Sequence, residues 1–303
     1  MIGRVLRSQS GQYWIHTEEA GVVHCVLRGR FKKERRARTD LAVIGDRVEI
    51  SLREDEPGEG VIEQLVPREN RFARRQPGGR GRYKEQVLVA NLDWLFVVCS
   101  CASPPFNPRL LDRFLVVAEL DDIDVAIVAN KVDRGWDERF EPYAELGYPL
   151  HRTSAEDGTG IDELRERLRD DVSAFVGASG VGKSSLLNRL EPGLGAAVGA
   201  ISETLDKGRH TTRVAELHAI TGGGWVADTP GIRELASFEL PKEQLETCFP
   251  EMRPLLGSCR FPNCVHLHEP NCAIREAVAS GAISESRYSS YVRIREDEQR
   301  GGR

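Results

Sequence analysis

The stretch VSAFVGASGVGKSSLLNRL, residues 172–190, carries the reading on which the fold turns. Val172 to Val176 reads as a buried strand and Lys183 to Leu190 as an amphipathic helix, with Gly177, Gly180 and Gly182 in the turn between them. A strand, a glycine-rich loop and a helix form the context in which G-x-x-x-x-G-K-[ST] binds phosphate. The glycines let successive N–H groups face an anion, and the helix N-terminus adds favourable partial charge. Gly177, Ser179, Gly180, Val181, Gly182, Lys183, Ser184 and Ser185 are therefore expected to line a nucleotide site. The Lys183 ammonium would reach the β- and γ-phosphates, and the Ser184 hydroxyl would ligate Mg²⁺.

Downstream, Asp228-Thr-Pro-Gly231 ends a second apolar strand, where the Asp228 carboxylate can hold hydrated Mg²⁺ and the Gly231 N–H can approach a γ-phosphate. Upstream, Asn130-Lys-Val-Asp133 follows the apolar run Val125 to Ala129, at a strand end where open α/β sheets bind ligands. This motif selects guanine. The Asp133 carboxylate can accept from guanine N1–H and the exocyclic amine together, whereas adenine offers no such pair. Asn130 can meet the other edge of the base while the Lys131 stem packs over the ring. Thr153-Ser154-Ala155, after the next strand, would present a backbone N–H to guanine O6.

These motifs stand in a permuted order, with NKVD and TSA ahead of the phosphate loop rather than behind it. Packing survives such a permutation because sheet neighbours are kept and only the connections are recut. Between the phosphate loop and Asp228 lies Gly208-Arg-His-Thr-Thr-Arg213, a candidate nucleotide-sensing switch. Thr212 is the favoured second Mg²⁺ ligand there, with Thr211 its rival. Ile232, after Gly231, has only carbon in its side chain and cannot orient water, which leaves His210 as the polar candidate for that task. Slow intrinsic turnover and an external partner that orders the switches are expected. Alternating strand-like and helical runs from Leu92 to Gly231 indicate an α/β unit with a mostly parallel sheet.

Residues 2–67 contain about five short alternating segments, Gly3–Arg7, Tyr13–His16, Val22–Leu27, Asp46–Ile50 and Gly60–Leu65, and no convincing helix. A small antiparallel barrel of the OB type fits them, and an SH3-like barrel would look similar. Between the third and fourth segments, Arg28, Arg30, Lys32, Lys33, Arg35, Arg36 and Arg38 crowd into eleven residues beside Phe31, a composition suited to lining up on the phosphates of RNA. Residues 71–84, RFARRQPGGRGRYK, read as a basic Gly/Pro-rich linker or loop that can also touch a polyanion.

Near the C-terminus, Cys259, Cys264, His266 and Cys272 form the Cys₃His set of a structural tetrahedral Zn²⁺ site, with His268 as an alternative to His266. Short helices surround this cluster, and a polar tail runs from Glu296 to Arg303. Four protein ligands leave no position open for catalysis, so the metal would contribute to folding directly. Cys25, Cys99 and Cys101 lie in apolar strand-like runs and carry no assigned chemistry.

The 303 residues divide by charge into three units. Residues 1–82 carry 17 Lys and Arg against 12 Asp and Glu, residues 83–240 carry 16 against 26, and residues 241–303 carry 9 against 9. A basic front on an acidic middle points to a polyanionic partner for the barrel. No apolar run reaches the roughly 18 residues of a membrane span, and the N-terminus lacks a secretory pattern, so a cytoplasmic chain is expected.

In the motif order, the VIGDRVEI strand (residues 43–50) and the cluster CRFPNCVHLHEPNC (residues 259–272), the chain resembles the bacterial small-subunit-dependent ribosomal GTPases, the RsgA (YjeQ) group. The resemblance covers nearly the whole length. It implies an N-terminal OB-fold that contacts 16S rRNA, a central circularly permuted P-loop GTPase domain, and a small, mostly α zinc-binding domain. It also implies a late-stage assembly factor for the small (30S) subunit that hydrolyses GTP to GDP with His210 as the catalytic histidine; a monomer is expected. Hydrolysis would be stimulated by the subunit and coupled to release. The alternative is a GTP-controlled RNA-binding regulator not tied to ribosomes. On either reading, calorimetric titration is expected to give GDP at least a tenfold preference, ~1.4 kcal/mol, over ADP, and Asp133→Ala is expected to remove most of it.

Overall fold

The computed structural model describes residues 1–28, 42–78, 82–195, 215–228 and 242–300. Five strands open the chain: β1 (Ile2–Gln9), β2 (Gln12–Thr17), β3 (Gly21–Leu27), β4 (Arg47–Leu52) and β5 (Glu59–Leu65). β1 pairs with β2 and β2 with β3, β3 runs parallel to β5, β5 pairs with β4, and β4 returns to β1, which closes a five-stranded OB-like barrel. The period-two pattern explains the closure: Val5, Tyr13, Ile15, Val23, Cys25, Val48, Ile50 and Ile62 all point into one core. Register shifts between Val5 and Arg7 and between Glu49 and Ile50 supply the local bends.

The turn before β4 is tightly specified. Gly45 has φ +85°, and a Cβ there would lie 2.0 Å from the Ala90 carbonyl oxygen. The Asp46 carboxylate is fully buried and accepts from Arg68 Nε at 2.7 Å, from Arg68 Nη2 at 2.8 Å and from the Val43 N–H at 2.8 Å. Bidentate pairing lets this charge remain in the interior.

The described part of residues 71–84 departs from the linker or loop reading. It lies in an antiparallel pair of strands, β6 (Arg71–Gly78) and β7 (Arg82–Ala90). Its Gly, Pro and Arg content reads locally as a loop, but Phe72 and Val89 pair across the strands and are buried in the same core as Phe114 and Leu115. Tertiary burial overrides local propensity here.

The central sheet follows with β8 (Trp94–Ser100), α1 (Pro108–Asp121), β9 (Asp124–Asn130), α2 (Glu141–Glu145), β10 (Leu150–Thr153), α3 (Ile161–Arg167), β11 (Val172–Val176), α4 (Lys183–Leu190), β12 (Ala215–Ala219) and β13 (Trp225–Asp228). Between β9 and β10 a 3-10 turn, Glu138–Phe140, runs directly into the short α2. Strand order is β10-β9-β8-β11-β13-β12, parallel through β13, with β12 antiparallel. β12 also pairs with β1, through Arg7 opposite Glu216 and Ser8 opposite Ala215, so barrel and central sheet share one hydrogen-bonded ladder. Asn107 caps α1 by accepting from the Leu110 N–H, with Pro108 in the first turn where its missing N–H costs nothing.

Two 3-10 turns, Lys242–Cys248 and Arg253–Leu255, lead to α5 (Ala273–Ala279) and α6 (Glu285–Arg300). Residues 296–300 of the expected polar tail belong instead to the end of α6, because Glu, Gln and Arg are good helix formers and extend a helix already anchored by Tyr291 and Ile294; residues 301–303 lie outside the described residues. No described helix is long and apolar enough to cross a membrane.

α6 docks on α1 through a buried ionic latch. Arg287, 2% exposed, donates to Glu251 at 2.7 and 3.1 Å and to the Asp112 carboxylate, which also accepts from the Tyr143 hydroxyl at 2.9 Å. Burial works to lower the Arg287 pKa, but Asp112 and Glu251 outweigh it and raise the pKa, so the guanidinium stays charged. Its Cζ also lies 4.7 Å from the Phe249 ring centre. Arg287→Ala leaves Asp112 buried without its counter-ion, and urea denaturation is expected to show a loss of about 3–5 kcal/mol.

Candidate functional site

The carboxyl ends of β9, β10, β11 and β13 lie along one edge of the sheet, because these strands are parallel and in close register. The phosphate loop leaves β11 and enters α4 directly. Gly182 precedes α4 with φ +99°, and a Cβ there would lie 2.4 Å from Asn130 Nδ2, so only glycine fits. Ser179, Gly180, Ser184 and Ser185 are exposed on this edge while Leu186, Leu187 and Leu190 fix the inner face of α4. The Lys183 ammonium lies over the loop and donates to the Gly177 and Ala178 carbonyls at 2.8 and 2.7 Å. Asp228 ends β13 and is buried, one residue beyond the Ala174–Ala227 pairing of β11 and β13.

Asn130 joins the motifs. Its side chain is 1% exposed and uses both ends of the amide. Nδ2 donates to the Val181 carbonyl in the phosphate loop at 2.9 Å, and Oδ1 accepts from the Ala155 N–H and the Thr153 hydroxyl, each at 3.3 Å. The spacing pointed to a contact with the base and did not reveal this internal tie. Lys131 takes up φ +69° and spans the mouth, with Nζ donating to the Ser103 carbonyl at 2.5 Å and the Gly180 carbonyl at 2.6 Å. Its stem is thereby laid beside the loop. Asp133 sits in the 3-10 turn after Lys131 with a partly exposed side chain, 3.7 Å from Arg134 Nε. Ser154 is buried, and its Oγ accepts from the Asp157 N–H at 3.2 Å, which shapes the turn after β10.

Asn130, Lys131, Ser154, Ala155 and the loop from Gly177 to Ser184 are thus connected by side chains and backbone at one edge of the sheet. His210, Thr212 and Gly231 lie outside the described residues, as do Arg30, Lys32, Lys33, Arg35, Arg36 and Arg38. Arg28 is described, at the end of β3, where it forms an ion pair with Glu63.

A second cluster lies in the C-terminal unit. The ligand atoms of Cys259, Cys264, His266 and Cys272 are all within 4.8 Å of one another. Cys259 Sγ lies 3.9 Å from Cys272 Sγ and 3.5 Å from His266 Nδ1, which is 3.3 Å from Cys272 Sγ. Tetrahedral bonds of ~2.3 Å to sulfur and ~2.0 Å to nitrogen put ligand atoms about 3.5–3.8 Å apart, so the donor set fits Zn²⁺. Burial lowers the His266 pKa and favours the neutral imidazole that ligates metal. His266 rather than His268 faces the thiols.

The loop bearing these ligands has supports that the motif did not announce. Glu269 accepts from the N–H groups of Val265, Leu267 and His268 at 2.9, 3.0 and 3.1 Å. Burial pushes this carboxyl up, but the backbone donors prevail and lower its pKa to about 2. From α6, the Tyr288 and Tyr291 hydroxyls donate to the His266 and Val265 carbonyls at 2.6 and 3.0 Å.

Comparison with known proteins agrees with this arrangement. Residues 65–238 match the family model of the RsgA GTPase, and residues 2–62 match that of the RsgA N-terminal domain. A small ribosomal subunit biogenesis GTPase RsgA from Gemmatimonas aurantiaca is 44% identical over 97% of this chain and 96% of its own length. One of the same name from Moorella thermoacetica is 43% identical over 96% and 95%. Among solved structures, YjeQ from Thermotoga maritima superposes with a TM-score of 0.76 at 35% identity, covering 98% of each chain. YloQ, described as a circularly permuted GTPase, gives 0.75 at 29% identity over 98% of this chain and 94% of its own.

Asn130→Ala leaves the Val181 carbonyl and the Ala155 N–H without their buried partner, at about 1–3 kcal/mol each. Calorimetry is expected to show GDP binding weakened by roughly tenfold or more, with a lowered melting temperature. Unchanged binding would mean that Asn130 does not organise the site.

Proposed function

This chain belongs to the RsgA GTPase family, and from that premise we propose that it hydrolyses GTP to GDP and phosphate as a late-stage biogenesis factor of the small ribosomal subunit. The subunit stimulates hydrolysis, which is coupled to release of the factor. The observation that carries this reading is the convergence of the phosphate loop, the NKVD motif and the TSA loop on Asn130 at one sheet edge. Backbone N–H groups of the loop and Lys183 hold the phosphates, and Asp133 accepts from the guanine edge that adenine lacks. Ser184, Asp228 and Thr212 are the residues that would hold Mg²⁺. When bound, Mg²⁺ neutralises charge on the β- and γ-oxygens.

His210 orients the attacking water, a task that the Ile232 side chain cannot perform. The loop from Arg28 to Arg38 and the basic ribbon β6–β7 face 16S rRNA, and Cys259, Cys264, His266 and Cys272 hold one structural Zn²⁺. The units 1–82, 83–240 and 241–303, a monomeric state and a cytoplasmic location belong to the same reading.

GTP turnover with and without purified small subunits tests it. Stimulation on the order of 10³-fold or more is expected, and His210→Ala should abolish most of it. Equal stimulation by free RNA would instead favour an RNA-binding regulator, and no stimulation would overturn the proposal.

A further inference from the structure

The loop after β10 is held from a second direction that the nucleotide motifs do not explain. Arg189 lies six residues beyond Lys183, on the exposed face of α4. Its Nε donates to the Ala155 carbonyl at 2.8 Å and its Nη2 to the Glu156 carbonyl at 2.6 Å. A planar guanidinium serving two consecutive carbonyls fixes direction as well as distance. α4 is itself tied at this point, because the Arg189 carbonyl accepts from Arg165 Nη2 of α3 at 3.1 Å.

From the other side Asn130 Oδ1 takes the Ala155 N–H. The peptide joining Ala155 to Glu156 is therefore pinned with its oxygen toward α4. In a trans peptide the N–H points opposite to the C=O, so the Glu156 N–H is turned away from α4, and no described residue accepts from it. The orientation matters for base choice. A carbonyl facing the purine 6-position would attract the amino group of adenine and repel the oxygen of guanine, whereas an N–H does the reverse.

We propose that Arg189 is a positioning residue for base selection: it holds the 155–156 carbonyls toward α4, so that the loop offers the Glu156 N–H, rather than a carbonyl, to the 6-oxygen of the purine. The inference rests on the guanine-nucleotide reading of the site. Arg189→Met removes both donors while keeping the length and helix propensity of the side chain. Arg189→Lys keeps the charge and can serve one carbonyl.

Three diphosphates separate this role from a merely structural one. GDP and IDP carry the 6-oxygen, and 2-aminopurine riboside diphosphate lacks any 6-substituent. By calorimetry, Arg189→Met is expected to weaken GDP and IDP about 3–10-fold, a cost of roughly 0.7–1.4 kcal/mol, and to leave the 2-aminopurine nucleotide within about twofold of its wild-type affinity. Arg189→Lys should fall between the wild-type chain and Arg189→Met.

Equal loss for all three nucleotides, or unchanged preference for the 6-oxygen in both variants, would overturn the assignment. If the wild-type chain itself binds GDP and the 2-aminopurine nucleotide alike, the guanine reading of the site fails, and the role of Arg189 fails with it.

Discussion

The buried carboxamide of Asn130 is the constraint on which the nucleotide edge of the sheet depends. A side-chain amide has donors and acceptors that must be satisfied once it leaves water, and here they are satisfied by two different loops. The phosphate loop and the base loop thereby acquire a fixed separation before any ligand arrives. Preorganisation of this kind removes part of the ordering cost of binding. Gly182 belongs to the same constraint, because its missing Cβ is what lets Nδ2 approach Val181.

A permuted chain tolerates its altered order because none of these contacts runs along the sequence. Asn130 and Val181 are 51 residues apart, and they meet only because β8 lies between β9 and β11 in the sheet. The same logic attaches the barrel. β12 begins immediately after residue 214 and pairs at once with β1, so the strand that follows the expected switch is also the strand that carries the barrel. Two residue pairs make that junction, and the turns about Gly45 and Asn91 reinforce it. The Asn91 side chain donates to the Gly45 carbonyl at 3.0 Å and accepts from the Glu69 N–H at 2.9 Å.

Much of this was legible in the sequence where local and tertiary preferences agree. Strands at 172–176 and the helix at 183–190 stand as the periodicity predicts, since burial on one side is what creates such a pattern. The strand pair of β6 and β7 was hidden because its strand character comes from Phe72 and Val89 meeting a core supplied by α1 and β8. The last turn of α6 was hidden because nothing apolar marks it. Among the site residues, spacing located Asn130 but not the direction of its amide, and it passed over Arg189 and Glu269, whose contacts are to backbone atoms. Backbone donors and acceptors leave no trace in residue type. Such partners become visible only when the loops that present them are in place.

The division into units by charge and motif does not follow the division of the core. Phe249, Met252, Ile274, Ile283, Tyr291 and Ile294 of the C-terminal unit lie in the same buried cluster as Phe114 and Leu115 of α1, and Ile44 beside the barrel lies in it too. The C-terminal elements are short and share their core with α1, so they depend on the Arg287 latch at one end and on the Cys₃His loop at the other. α1 is therefore a structural member of two units at once. Its N-terminus follows the segment that holds Ser103 against Lys131, and its body carries Asp112 against Arg287. The helix thus has the nucleotide edge at one end and the unit with the Cys₃His cluster along its side, joined to both by side-chain contacts rather than by chain connection.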